Sequence, residues 1–81
     1  MTQAEIDEAK AQAIIAAAKA QVGGKPIGGD LTNKFIVAYH RIQKRMIIGQ
    51  VIQKSDTGWL VNFGYKDNRD TPVNEMIKVL Q

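Results

Sequence analysis

At 81 residues, with 44% apolar and 23% charged side chains, the chain has the composition of one small globular domain rather than of a disordered tail. Such a domain buries one modest core and has no room for a large substrate cavity. The net charge of +3 is unevenly spread: residues 1–22 carry three carboxylates against two lysines, and residues 23–81 carry nine Lys or Arg against five Asp or Glu. The positive balance of the second part is compatible with nucleic acid and does not by itself require it.

The longest apolar run, Ala13 to Ala18, is mostly alanine and far short of the roughly 20 residues that cross a bilayer, so no membrane association is expected. The chain starts acidic, with Glu5, Asp7 and Glu8, unlike the basic start of a secretory signal. Cysteine is absent, which removes disulfides and thiolate zinc sites and fits a reducing, cytoplasmic location.

Residues 1–22 predict a helix. Thr2 is placed to cap it, and Glu5 completes a capping box. Acidic residues fill the first turns and Lys19 lies near the end, which suits the macrodipole. Alanine dominates the body, and Gly23-Gly24 supplies the stop. The apolar stripe is thin: Ala11, Ile15, Ala18 and Val22, widened by Ile14. An isolated helix of this length is marginal in water, so it is expected to dock on the rest of the chain or on a second copy.

Residues 23–33 read as a linker, because GGKPIGGD holds four glycines and a proline. A phosphate-binding loop is the alternative for this stretch. It needs Gly-Lys-Ser/Thr, where Asp30 and Leu31 stand instead.

Residues 34–81 predict a small β-barrel. Two periods compete at its start. Leu31, Phe35, Tyr39, Ile42 and Met46 recur at helical spacing, whereas FIVAY is β-branched and aromatic. A strand over about 34–41 is preferred, because it supplies the first strand without which the later ones leave open edges. Met46 to Ile52 follows as a strand, with Gly49 marking a bulge or bend. Ser55 to Gly58 is a hairpin turn. Trp59, Val61 and Phe63 share one face of the next strand. Lys66 to Asp70 reads as a charged loop, and Pro72 ends the fourth strand. Val73 to Met76 is one helical turn before a last strand, Ile77 to Leu80. The buried set is expected to include Val37, Tyr39, Val51, Val61, Phe63 and Ile77.

Several residue groups together resemble a known family: Ala38-Tyr39, the basic loop Gln43 to Arg45, Gly49-Gln50-Val51, Trp59 to Phe63, and Pro72 to Met76. Over about residues 34–80 this layout resembles the Tudor-type SH3-like barrel. It is also similar to the C-terminal DNA-binding barrel of retroviral integrases and to small bacterial SH3-like domains that bind proteins or RNA polymerase. The resemblance implies a mainly β fold, a five-stranded SH3-like barrel preceded by an Ala-rich N-terminal helix, and a binding function. Tyr39 and Tyr65 match the positions from which Tudor domains build an aromatic cage for methylated side chains. The loops here hold too few aromatics for a full cage.

No catalytic constellation accompanies the fold. His40 is the only histidine and Ser55 the only serine, and Ser55-Asp56 is accounted for by a turn. One histidine without cysteine does not make a zinc site, and Asp67 and Asp70 lack the frame of a calcium loop. A non-enzymatic module without cofactor is therefore expected.

The most function-bearing cluster is His40, Arg41, Lys44 and Arg45, four potential cations within six residues. Phosphate is the anion such a loop would meet. Lys54, Lys66 and Arg69 are candidates to extend the patch, and Tyr39 and Tyr65 are candidates to stack on bases. The plain alternative is a solvated polar loop. The first expectation is thus DNA or RNA binding. The others are a protein-interaction adaptor or inhibitor docking on a larger protein, and a homodimer formed through residues 2–22.

Overall fold

The computed structural model describes residues 1–23 and 27–80. Residues 24–26, within the expected linker and including half of the Gly23-Gly24 helix stop, and Gln81, the expected end of the barrel, lie outside the described residues.

Helix α1 spans Gln3–Gln21, capped by Thr2, whose hydroxyl accepts the Glu5 backbone N–H at 3.2 Å. Its end follows the expected route: the Val22 N–H bonds back to the Ala18 carbonyl and Gly23 takes φ +80°. The apolar stripe is used only in its first part. Ala11 and Ile15 are buried, Ile14 and Ala18 pack at the margin, and Val22 is exposed.

Five antiparallel strands follow in the spatial order β4-β3-β2-β1-β5. They are β1 (Phe35–His40), β2 (Arg45–Lys54), β3 (Gly58–Asn62), β4 (Asn68–Pro72) and β5 (Met76–Leu80), with a 3-10 turn over Val73–Glu75. The molecule is thus mainly β, a helix followed by a five-stranded small-barrel-like sheet. The sheet is open, with β4 and β5 at its two edges, and is compatible with an SH3-like fold. No helix of the described residues is long and apolar enough to cross a membrane.

The strand reading of residues 34–41 is correct, and the helical spacing of Leu31 to Met46 is incidental. It arises because β1 is covered on both faces, which makes its sequence apolar throughout. Ile36 and Ala38 point into the main core with Leu31, Val51, Trp59, Val61 and Met76. Val37 and Tyr39 point the other way, into a second cluster with Ala11, Ile15 and Ile77 under α1. Of the expected core, Tyr39, Val51, Val61 and Ile77 are buried. Val37 and Phe63 are only half-buried, the first at the edge of the helix footprint, the second at the mouth of the barrel with the His40 ring edge-on at 5.0 Å.

Two further boundaries differ from expectation. The charged segment Lys66 to Asp70 is not all loop, because Asn68, Arg69 and Asp70 pair with Asn62, Val61 and Leu60 to begin β4. The barrel body also reaches back into the expected linker. Leu31 is 2% exposed in the main core, Ile27 packs against it, and Asn33 and Lys34 exchange backbone bonds with Val51. Gly49 marks where β2 crosses β3 closely: a Cβ there would lie 2.5 Å from Val61 Cγ1.

Candidate functional site

The β1–β2 loop, residues 41–44, and the β3–β4 loop, residues 63–67, meet at one end of the barrel. His40 joins them. Its Nδ1 accepts the Gln43 backbone N–H at 3.0 Å, so the ring proton sits on Nε2. That proton is donated to Asp67 Oδ2 at 2.7 Å. Arg69 Nε also lies 3.1 Å from Nε2 and forms an ion pair with Asp67 Oδ1 at 2.9 Å. The hydrogen bond from His40, with Arg69 beside it, holds the Asp67 carboxyl below the usual range. His40, 1% exposed, is therefore a strut between the loops and not a surface cation.

The remaining cations of the expected patch are divided by the fold. Arg41 stands between two carboxylates: Nη2 donates to the buried Glu75 and Nη1 to Glu8 of α1. Both bonds raise the guanidinium pKa further, the one to Glu75 most. Its Cζ also lies over the Tyr39 ring, 5.7 Å from the centroid. Lys44, in the left-handed region at φ 56°, places Nζ 3.5 Å from Asp7. Glu8 is lowered below the ordinary carboxylate range by Arg41 first and Gln12 second. Asp7 is lowered by Gln3 first, with Lys44 contributing.

Arg45 is exposed and donates twice to the neutral Gln43 amide, at 3.1 and 2.9 Å. Lys66 is exposed in the β3–β4 loop. Lys54 stands at the opposite end of β2 from Arg45, with its ammonium 5.3 Å over the Trp59 ring, so it does not belong to this rim. Of the two tyrosines, Tyr39 is 4% exposed beneath α1 and Tyr65 fully exposed.

Sequence reasoning did not find the outer face of the sheet that α1 leaves uncovered. Phe35 is 48% and Ile48 57% exposed. They line a shallow groove with Gln50, Asn62, Phe63 and Gly64, and no carboxylate lines it. Phe35 pairs with Gln50, and Ile48 with Val37, so these residues continue the same face on which the helix sits. Lys78 pairs with Val37 from the β5 side and is exposed. The alternation of strand residues carries this signal, but reading it needs the extent of the helix footprint.

Tyr65 adjoins that groove through Gly64. It holds φ 50°, unusual for a bulky residue. Asn62 fixes this conformation: its amide oxygen accepts the Gly64 N–H at 2.9 Å, and its NH₂ donates to the Tyr65 carbonyl at 3.0 Å and to Asn68 at 2.7 Å. The loop thus holds an aromatic ring out in water. Among the described residues no cluster of three or more potential metal ligands occurs.

No protein-family model, no curated protein and no solved structure matches this chain.

Proposed function

We propose that this chain is a small nucleic-acid-binding module that uses the uncovered outer face of its sheet. The observation that carries the reading is Tyr65, held in a strained backbone conformation with its ring in solvent, beside the carboxylate-free groove of Phe35 and Ile48. Strain of this kind persists where the surroundings over-determine it, and it gathers at contact sites. Phe35 and Tyr65 offer π-faces on which unpaired bases stack. The Gln50 side chain borders the groove and offers an amide for base edges. Lys66 in the adjoining β3–β4 loop and Lys78, paired with Val37 on the same face, are exposed cations for phosphates. The Tudor-type and integrase-like pattern of residues 34–80 agrees with a binding role at this end of a small barrel. Reading of methylated side chains is disfavoured, because the loops hold too few aromatics to complete a cage around Tyr65.

The test is a titration of labelled single- and double-stranded oligonucleotides at about 50 mM salt, where phosphate contacts are strongest. Binding is expected, with preference for single strands. Phe35→Ala and Tyr65→Ala should each weaken it by about 1–3 kcal/mol if each ring stacks one base. Lys66→Ala should reduce the salt slope by about 0.7 on single strands. Exposure of Ile48 and of Ile42, 68% exposed in the β1–β2 loop, favours an apolar protein partner as the second reading. Absence of oligonucleotide binding up to about 100 μM, the weak end of typical non-specific affinities, selects it.

A further inference from the structure

Helix α1 sits on a cationic site as a ligand would. Arg41 is anchored from within the barrel by Glu75, 5% exposed, leaving its other terminal nitrogen for Glu8. That arrangement keeps the guanidinium in place whether or not the helix is present. Lys44 lies beside it and points at Asp7. Adjacent carboxylates on the helix therefore occupy adjacent cations on the loop, and Tyr39 forms the floor under the guanidinium. A crevice already separates the two parts, bordered by Ala4, Ala11 and Tyr39 and by the two ion pairs.

The helix is also weakly retained. Only Ala11 and Ile15 are buried in it. Its ion pairs are open to solvent, with Arg41 40% and Glu8 52% exposed, and pairs this exposed contribute little. Glycines flank its exit, Gly23 and Gly29 both at φ +80° with open space around them.

We propose that α1 is a displaceable internal ligand, and that Arg41, Lys44 and Tyr39 form a phosphate-binding site beneath it. Asp7 and Glu8 stand in for two anionic oxygens of a phosphate chain. Arg41 offers a planar fork suited to such oxygens. When α1 leaves, the outer face exposed at Phe35 and Ile48 extends to Val37 and Tyr39 on the same strands, giving one surface of aromatic and cationic groups. The site itself is specified by phosphate chemistry; that the phosphate belongs to a nucleic acid rests on the function proposed above.

The experiment compares the full chain with the double variant Asp7→Asn/Glu8→Gln, which keeps helix-compatible side chains and removes the internal anions. Two probes are titrated, a labelled oligothymidylate and inorganic tripolyphosphate. Both should bind the variant about two- to tenfold more tightly, the gain expected when two solvent-exposed ion pairs no longer compete for Arg41 and Lys44. Asp56→Asn/Asp70→Asn changes the net charge equally, away from the helix, and should give no such gain. Adding Lys44→Ala to the first variant should cancel it. Arg41 is left intact because its loss strands the buried Glu75. Equal gains in both double variants, or no gain with either probe, overturns the proposal. Tripolyphosphate following the expected pattern while no variant binds the oligonucleotide leaves the site standing and removes the nucleic-acid reading. Oligonucleotide binding that is the same in all variants does the reverse.

Discussion

Single backbone positions show how much of this fold turns on close approach. Gly58 opposes Pro72 across β3 and β4, and a Cβ there would lie 2.3 Å from the Thr71 carbonyl oxygen and 2.9 Å from Pro72 Cα. Backbone atoms in a ladder cannot step aside, so Gly58→Ala should cost about 3 kcal/mol, the upper part of the usual overpacking range. Gly49→Ala meets the Val61 side chain at 2.5 Å and the Asn62 carbonyl oxygen only at 3.0 Å, so its worst contact is with a side chain and it should cost less. Urea midpoints of the two variants check the order. Tyr65 makes the opposite prediction. Its left-handed backbone costs about 1–2 kcal/mol, and glycine returns about 0.5–1 kcal/mol of that through its own entropy loss. Tyr65→Gly should therefore unfold at the same or a higher urea concentration than wild type while losing oligonucleotide affinity. A clear drop in midpoint would show that the ring supports the fold and is not held out for a ligand.

Among the elements, α1 and the barrel have separate apolar clusters. The main core contains no helix residue, and the helix contributes Ala11 and Ile15 to a second cluster over Tyr39 and Ile77. Removing residues 1–26, which spares Ile27 and Leu31, should leave a chain with dispersed amide resonances. It should be less stable by about 2–4 kcal/mol, from uncovering roughly one isoleucine and one alanine together with the surface they shield. A collapsed product would show that the second cluster is needed for folding. Acid should loosen the same contact. The Glu8 carboxyl is held below its ordinary range first by Arg41 of the barrel and then by Gln12, whereas Asp7 is lowered first by Gln3 within the helix and only in part by Lys44 of the docked loop. The docked state therefore gains from their ionisation at neutral pH, and loses that gain as pH falls through the lowered values. Amide exchange at Tyr39 and Ile77 is expected to accelerate below about pH 4, well before the main core unfolds. Equal acceleration in both clusters would contradict the division.

For the molecule as a whole, the open sheet leaves β4 and β5 as edges. β4 is guarded by Arg69, Asp70 and a terminal Pro72, features that discourage edge-to-edge pairing. The helix stripe available for joining two copies is spent on the chain's own barrel, with Ala11 and Ile15 1% and 3% exposed. Sedimentation equilibrium should therefore report a monomer at micromolar concentrations. A dimer that persists after Ile15→Asp would point to the sheet face instead of the helix.

Local pattern was enough to read the helix with its Thr2 cap, the hairpin at Ser55 to Gly58, the Pro72 stop and the number of strands. These depend on backbone propensity and turn chemistry, which act over a few residues. It was also enough to identify the cations. It was not enough to say which of them are free, because an ion pair between Glu8 and Arg41 or between Asp7 and Lys44 joins residues more than thirty positions apart, and only the docking of α1 brings them together. The same holds for β1. Alternation marks two sets, Ile36 and Ala38 against Val37 and Tyr39, but a strand covered on both faces does not announce which set meets the barrel and which meets the helix. Residue type and spacing thus determined the elements and their order. Tertiary packing alone decided that His40 is a strut, that Arg41 and Lys44 are occupied, and that Phe35, Ile48 and Tyr65 are left facing solvent. Burial and charge pairing depend on which surfaces meet, and that is not a local property.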